Sequence, residues 1–255
     1  MNKYKIIGLM LTKNEDEILE DWLRLYYTWF DKIFVLDGSD DYKSKEILEK
    51  YDLKYYNQKN YNVKITNHGL RRILFEEIKI HIKNTNSDNI DHWIVLIHPD
   101  EFYQRGFSKS INRAYSENKN AIQVNNCHNF PHVSEIEKWK KFKTYKVFNH
   151  FVYPGFQEYR IFKFNPNQYY DENTHSNILP HNLKKTILDY KMIVYHYKII
   201  TVDPNNYSIN GDIKKSSWSN LRKHYPENHV FYQLEDFFLE KPQGKYKNDK
   251  VIHRF

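Results

Sequence analysis

Two stretches near the start of the chain decide its fold: KIIGLMLTKNE at residues 5–15 and IFVLDGSDD at residues 33–41. Each begins with a short, continuous apolar run, which is typical of a strand that is buried on both faces of a sheet. Between them, apolar residues recur at roughly helical spacing from Ile18 to Trp29, which predicts a helix. The order of strand, helix and strand is typical of a parallel α/β sheet with right-handed crossovers.

Small polar residues mark the expected helix starts. Thr12 and Glu15 have the spacing of a capping box, so we expect them to satisfy free N–H groups at the start of the first helix. Ser44 is expected to cap the second helix through its hydroxyl group. The sequence thus predicts two helices that each follow directly on a strand and its polar loop.

The apolar pattern continues along the chain, with a short strand at 53–56, a helix with one apolar face at 70–82, and a strongly apolar strand at 93–97. After residue 107 the pattern is more β-like. It predicts strands at 121–124, 143–151, 159–164 and 191–200, and a helix around 218–224. No internal repeat or linker is evident. We therefore expect one α/β domain over residues 1–204 and a C-terminal helical extension, 205–255, packed on it.

Composition excludes several classes of protein. The chain has 255 residues, of which 40% are hydrophobic, 17% aromatic and 28% charged, which excludes a disordered or low-complexity chain. Its single cysteine, Cys127, excludes an internal disulfide framework and a cysteine-rich zinc site. No apolar run approaches the ~20 residues of a membrane span, and the N-terminus lacks a signal-peptide pattern. We expect a soluble, cytoplasmic protein.

The net charge of +7 favours anionic partners, which include nucleic acids, phosphorylated ligands and acidic membrane surfaces. The lysines and arginines are spread along the chain, so a solvated basic surface without a specific partner also explains the charge. The charge alone leaves these alternatives open, including peripheral contact with a membrane.

Carboxylates follow two of the predicted strands. Asp37 and Asp40 come after the second strand, and Asp100 and Glu101 come after the strand at 93–97. In open α/β sheets, ligands bind beyond the carboxyl ends of the strands, and carboxylates there need a cation or hydrogen-bond donors. Turn chemistry alone explains Asp37, and a salt bridge explains Glu101. The functional alternative is that Asp37 binds a base or ribose and that the later pair binds Mg²⁺ or Mn²⁺.

Other polar residues are ambiguous when they are taken singly. His98 and His175 follow candidate strands and His196 lies within one, and each is also compatible with a structural role. Glu158 and Arg160 lie at the start of the strand at 159–164. Arg160 either binds a phosphate or pairs with Glu158.

Taken together, these segments resemble a glycosyltransferase of the GT-A fold, in the family 2-like group. Three segments carry the resemblance: residues 11–15 with the following helix, residues 33–40, and residues 93–102, which resemble the strand with the family's Asp-x-Asp-Glu-Phe signature. Weaker similarities lie at 158–162 and around His175 and His196. The resemblance implies a Rossmann-like mixed sheet flanked by helices, and a transferase that uses a nucleotide sugar and Mn²⁺ or Mg²⁺, usually with inversion.

The resemblance also implies roles for individual residues. The nucleotide and its diphosphate would be bound by Thr12, Asn14, Glu15, Asp37, Asp40, His98 and Arg160. The metal would be bound by Asp100 and His196. The general base is left open among Asp171, Glu172, His175 and Glu158. The acceptor would be a glycan, a lipid-linked saccharide or a protein, and no nucleic-acid partner is implied.

The sequence departs from the family pattern at two positions. His98 stands where the signature has its first aspartate, and Ser176 stands where relatives often carry a carboxylate after the preceding histidine. The first departure makes an inactive GT-A homologue an alternative, and the second leaves the general base unidentified. A basic nucleic-acid-binding protein is the remaining alternative, although acidic strand ends would repel phosphate unless a metal intervenes.

Overall fold

The computed structural model describes residues 4–40, 42–61, 67–85, 90–129, 151–152, 157–171, 179–183 and 186–197, with positions 138, 141, 142 and 146. The strands are β1 (Tyr4–Thr12), β2 (Lys32–Asp37), β3 (Tyr55–Asn57), β4 (Asp91–Ile97), β5 (Glu101–Tyr103), β6 (Ala121–Asn129), β7 (Phe151–Val152), β8 (Gln157–Lys163) and β9 (Thr186–His196). The helices are α1 (Asp16–Tyr26), α2 (Lys43–Lys50), α3 (Asn67–Asn84) and α4 (Ser108–Ser116).

The strands form one mixed sheet in the order β3-β2-β1-β4-β8-β6-β9-β5, and β7 pairs with β6. Helices flank this sheet, so the predicted mixed α/β class, in the manner of a Rossmann-like GT-A fold, is confirmed. The described helices include none that is long and apolar enough to cross a membrane.

The chain divides into two compact units, which interleave in sequence. The first unit comprises Met1–Pro99, Arg105–Val124 and Gln157–Met192. The second unit comprises Asp100–Gln104, Asn125–Phe156 and Ile193–Phe255. The predicted extension at 205–255 and the helix predicted at 218–224 lie outside the described residues.

In the first unit, β1 is parallel to both β2 and β4, so that Gly8 pairs with Ile33 on one side and with Val95 on the other. β3 adds to β2 in the same direction, and β8 adds to β4 in the opposite direction. The chain leaves β1 for β2 and β3, and then crosses back to β4 on the other side of β1. The strand order therefore reverses between β1 and β4, which makes this a topological switch point.

Side chains pack closely around Gly8 of β1, next to the switch point. A Cβ atom at Gly8 would lie 2.6 Å from Cδ1 of Ile97 and 3.3 Å from the side chain of Ile33, so only glycine fits without displacing core side chains. The apolar face of α3, with Leu74 and Phe75 fully buried, packs against this part of the sheet. The long apolar-faced helix predicted at 70–82 is thus confirmed, and so is the strand predicted at 93–97.

The predicted helix caps are wrong. Thr12 is the last residue of β1 because it pairs with Asp37 of β2, and the N-cap of α1 is Glu15, which makes no capping bond with its side chain. Ser44 lies inside α2, whose N-cap is Tyr42, and the Ser44 hydroxyl lies 3.0 Å from that of Ser39 instead. These hydroxyl groups bind side chains of the strand-end loops rather than the free N–H groups of the helices.

Three of the later strands predicted from sequence are confirmed with small shifts, namely β6, β8 and β9. The strand predicted at 143–151 lies mostly outside the described residues, and its end coincides with β7. The sequence pattern predicted neither α4 nor the three-residue β5.

Candidate functional site

The loops that follow β1 and β2 are tied together at the carboxyl edge of the first unit's sheet. The N–H group of Gly38 donates to the carbonyl oxygen of Thr12 at 2.8 Å. The N–H group of Asn14 donates to Oγ of Ser39 at 2.9 Å, and the N–H group of Asp40 donates to Oδ1 of Asn14 at 3.0 Å. The loops therefore form one hydrogen-bonded surface beside the switch point.

Asp37 ends β2 and is only 5% exposed. Its Oδ1 accepts a hydrogen bond from the N–H group of Ser39 at 2.9 Å, which fixes the direction of the carboxylate. Asp40 is much more exposed, and hydrogen bonds with Lys59 and Asn14 lower the pKa of its carboxyl group. Two carboxylates therefore follow the same strand, as the sequence predicted, and the structure shows that they differ in burial.

Glu15 is a buried carboxylate at the start of α1. Its Oε2 accepts hydrogen bonds from the hydroxyl group of Thr12 at 3.1 Å and from the N–H group of Lys13 at 3.4 Å. The positive end of the helix dipole also favours a negative charge here. Thr12 and Glu15 thus contact one another and lie beside the switch point.

The other side of the switch point is formed by the end of β4 and the start of α3. Nη2 of Arg71, a residue that is 5% exposed, lies 3.3 Å from Nε2 of His98. A guanidinium group can only donate, so Nε2 of His98 is the acceptor and the ring proton is assigned to Nδ1. His98 therefore carries an N–H group at Nδ1, where an aspartate would carry only acceptor oxygens.

Arg71 is a site residue that the sequence analysis missed. It stands next to Arg72 in an amphipathic helix, and nothing in the local pattern distinguishes a buried arginine from an exposed one. Only the crossover that carries α3 into β4 places it against His98.

On β8, the structure pairs Arg160 with Glu158 in an ion pair, and the Arg160 side chain is only 4% exposed. Nη1 of Arg160 also donates to the carbonyl oxygen of Tyr159 at 3.3 Å. Of the two roles that the sequence left open for Arg160, pairing is the one seen in these contacts. Asp171 is half-buried in the same unit, whereas Glu172 and His175 lie outside the described residues.

In the second unit, Nε2 of His196 lies 3.1 Å from Oδ2 of Asp100, and both side chains are largely buried. The antiparallel pair of β5 and β9 sets this geometry, because Glu101 pairs with His196 and the N–H group of Tyr197 donates to the carbonyl oxygen of Asp100 at 2.7 Å. Two residues far apart in sequence are thus held side by side by backbone pairing.

The Asp100–His196 pair has a spacing that suits two ligands of one cation. Adjacent ligands of an octahedral ion at about 2.1 Å lie about 3 Å apart, and imidazole and carboxylate are both ligands of Mn²⁺. Among the described residues, no group of three or more His, Cys, Asp or Glu side chains could hold a metal ion. A cation here would need further oxygen ligands from substrate or water.

Cys127 is fully buried in β6, and burial raises the pKa of its thiol. A thiol in such surroundings stays uncharged and is a poor nucleophile.

No protein-family model matches the sequence, and no curated protein matches it. Among solved structures, glucosyl-3-phosphoglycerate synthase from Mycobacterium tuberculosis, in complex with Mn²⁺, UDP and glucosyl-3-phosphoglycerate, is similar at 14% identity, with a TM-score of 0.33, over 53% of this chain and 47% of that chain. The complex of that enzyme with Mn²⁺ and UDP-glucose gives a TM-score of 0.34 at 14% identity over 55% and 50% of the chains.

A Bacillus anthracis protein assigned as a glucose-1-phosphate thymidylyltransferase, in complex with sucrose, is also similar, with 8% identity, a TM-score of 0.30 and coverage of 49% and 55%. The chain thus spans about half the length of these solved structures. The roles of individual residues depend on the contacts described above.

Proposed function

We propose that the protein is a glycosyltransferase that uses a nucleotide sugar, with the nucleotide bound at the switch point of the first unit. One observation carries this proposal: the loop surface that contains Thr12, Asn14 and Asp37 lies at the carboxyl edge beside the reversal of strand order. Ligands of open α/β sheets bind at this position. The polar groups there are fixed by mutual hydrogen bonds, so little ordering is required when a ligand binds.

The nucleotide-binding residues would have distinct tasks. The Asp37 carboxylate is proposed to accept hydrogen bonds from ribose hydroxyl groups or from the base, with Asn14 and Asp40 beside it. Thr12 and Glu15 are proposed to border the nucleotide from β1. On the β4 side, the Nδ1–H group of His98 would donate to an oxygen of the ligand, and Arg71 would supply positive charge.

In the second unit, Asp100 and His196 are proposed to ligate Mn²⁺ or Mg²⁺. Their contacting oxygen and nitrogen atoms are 3.1 Å apart, which fits two adjacent positions around such an ion. When it is bound, the cation would neutralise the charge that develops on a departing nucleoside diphosphate.

The proposed reaction is a single displacement at the anomeric carbon. An acceptor hydroxyl oxygen forms the new bond, the bond to the diphosphate oxygen breaks, and a protein base takes the hydroxyl proton. Inversion follows from one attack on the opposite face. Asp171 and Glu158 are the candidates for this base among the described residues, and Glu158 is ion-paired with Arg160. Glu172 and His175 remain alternatives. The acceptor would be a glycan, a lipid-linked saccharide or a protein.

The test is calorimetric titration of the full chain with UDP, GDP, ADP, CMP and dTDP, with Mn²⁺ or with EDTA. We expect one nucleotide to bind, and Mn²⁺ to tighten its binding about tenfold or more, in line with a charge-assisted contact. Asp100→Asn should abolish the effect of Mn²⁺ and retain binding in EDTA. Asp52→Asn, a change at an exposed position, is the matched control and should behave as wild type.

Absence of binding by every nucleotide would overturn the proposed function. An unchanged Mn²⁺ effect in Asp100→Asn would overturn the metal assignment alone. The donor at His98 in place of a carboxylate favours one second candidate, an inactive homologue that binds nucleotide sugars without transfer. Specific nucleotide binding without hydrolysis or transfer of any nucleotide sugar would support that candidate.

A further inference from the structure

A cavity of 570 Å³ lies within the first unit, at the amino ends of β1 and β2. It is lined by residues of these ends, of the segment after α1 and of the start of α4, among them Tyr4, Trp29, Phe30, Asp31, Phe107 and Asn112. Since a strand advances about 3.3 Å per residue, Ile6 in the cavity wall lies about 20 Å from Thr12 at the other edge. The cavity is therefore separate from the proposed nucleotide site, and its size suits a small-molecule ligand.

An aromatic wall forms one side of this cavity. The ring of Trp29 makes edge contacts with Tyr26 and Phe107, at centroid distances of 4.7 and 5.5 Å. The ring of Phe30 packs at 5.4 Å from the same Phe107 ring. Phe107 is buried, whereas Trp29 and Phe30 are half-buried. The buried Phe107 ring thus fixes the rings of Trp29 and Phe30, and part of the surface of these two rings stays accessible.

A fixed carboxylate stands beside the wall. The N–H group of Asp31 donates to the carbonyl oxygen of Ile6 at 2.8 Å, and Oδ2 of Asp31 accepts from the N–H group of Ile6 at 2.7 Å. This reciprocal pair sets the orientation of an otherwise exposed side chain. The side chains of Thr28, Ser108 and Asn112 add hydroxyl and amide groups to the lining.

The lining also limits what can bind. The residues that line the cavity, all in the described part of the chain, include no lysine, arginine or histidine, and Asp31 would repel an anion. An uncharged ligand with many hydroxyl groups and an apolar face matches a lining of aromatic rings, a carboxylate, an amide and hydroxyl groups. Saccharides have these properties, because their C–H faces pack on aromatic rings while their hydroxyl groups bind carboxylates and amides.

We propose that this cavity binds a saccharide, at a site distinct from the proposed nucleotide site. The inference does not depend on the proposed function, because the cavity and its lining are independent of the loops after β1 and β2. In a transferase, such a site would hold part of a glycan away from the reacting end.

The test uses the full chain labelled with ¹⁵N and titrated with maltohexaose, cellohexaose and chitohexaose in the absence of nucleotide. At least one hexasaccharide should shift amide signals at residues 28–31 and 106–112 in a saturable manner. Trp29→Leu and Asp31→Asn should each weaken that binding about tenfold or more. Gly106→Leu should weaken binding to a similar extent, because Gly106 lines the cavity and a larger side chain there takes up space that the ligand needs. A Cβ atom at this position meets no atom within 4 Å, so the fold should tolerate the change.

Asp52→Asn again serves as the matched control and should bind the hexasaccharide as wild type does. Failure of all three saccharides to bind would overturn the proposal, and so would shifts confined to other residues or binding unaffected by the three variants. Aromatic rings beside a carboxylate can also bind an organic cation, and titration with choline tests this alternative. Preferential binding of choline would overturn the proposal of a saccharide site. Nucleotide binding, measured in the same samples, reports on the proposed function separately.

Discussion

The carboxylates at the two edges of the first unit's sheet have different hydrogen-bond partners. At the carboxyl edge, Asp37 and Glu15 accept hydrogen bonds from backbone N–H groups and from the hydroxyl group of Thr12. At the amino edge, Oδ2 of Asp91 accepts from Nζ of Lys163 at 2.6 Å and from the hydroxyl group of Tyr115 at 2.5 Å. The donor to Asp37 is an uncharged backbone N–H group, whereas Asp91 is paired with a cation.

This difference separates structural carboxylates from candidates for ligand binding. Burial raises the pKa of Asp91, but the hydrogen bonds from Lys163 and Tyr115 outweigh it, and the net shift is downward. The negative charge of Asp91 is thus compensated within the protein by Lys163. A carboxylate oriented by neutral donors keeps its charge for a ligand that brings hydroxyl or N–H groups.

The largest expected effect is on the carboxyl edge. Asp37→Asn keeps an oxygen that can accept from the N–H group of Ser39, but it removes the negative charge. We expect nucleotide affinity to fall about 10- to 100-fold, since a hydrogen bond to a charged group contributes about 1.5–3 kcal/mol. The free energy of unfolding should fall by about 1 kcal/mol or less, because the amide oxygen keeps the buried hydrogen bond from Ser39 in weaker form. Calorimetric titration and urea unfolding measure the two quantities, and unchanged affinity would remove Asp37 from the site.

The corresponding substitution at the amino edge, Asp91→Asn, should affect stability and leave nucleotide binding unchanged. Asp91→Asn weakens the contact with Lys163, and the residues of this ion pair are about a third exposed. We expect a loss of about 1 kcal/mol in the free energy of unfolding and no change in nucleotide affinity. Urea unfolding of both variants in parallel makes each the control of the other. Loss of nucleotide binding in this variant, with the fold intact, would contradict the structural role assigned to Asp91.

The smallest effect concerns pH and the amino edge. Burial, together with the positive charges of Lys5 and His81, lowers the pKa of His92, while Asp31 and Asp91 oppose this shift. The unfolded chain therefore binds a proton more readily, so stability that is present above about pH 6.5 is lost as the pH falls further. Urea midpoints at pH 7.5 and 5.5 should differ less in His92→Gln than in wild type. An equal difference would contradict the assignment.

The sequence predicted the parts of the fold that depend on local patterns. Continuous apolar runs identify β1, β2 and β4 because both faces of these strands are buried, and the polar residues after them mark the carboxyl edge. The capping roles of Thr12 and Ser44 were wrong because both hydroxyl groups bind other side chains, that of Glu15 and that of Ser39, instead of helix N–H groups. α4 was missed because its sequence, SKSINRAYS, is mostly polar and its burial comes from few residues.

Site residues from different elements were harder to predict. The sequence placed Asp100 and His196 in one hypothesis through a resemblance, and the pairing of β5 with β9 does bring them together. Arg71 was missed because the contact with His98 arises from the path of a crossover. The aromatic cavity was missed for the same reason, since its lining comes from separate segments.

The residue at position 14 shows how narrow the choice of side chain is in such a loop. Asn14 has a φ of 55°, in the left-handed region that few residues adopt readily. Glycine would suit this backbone but could not accept the hydrogen bond from Asp40, and alanine would meet neither demand. Aspartate would meet both, but it would add negative charge beside Asp37 and Asp40. Asparagine thus combines the required backbone conformation, acceptor and neutrality in one residue.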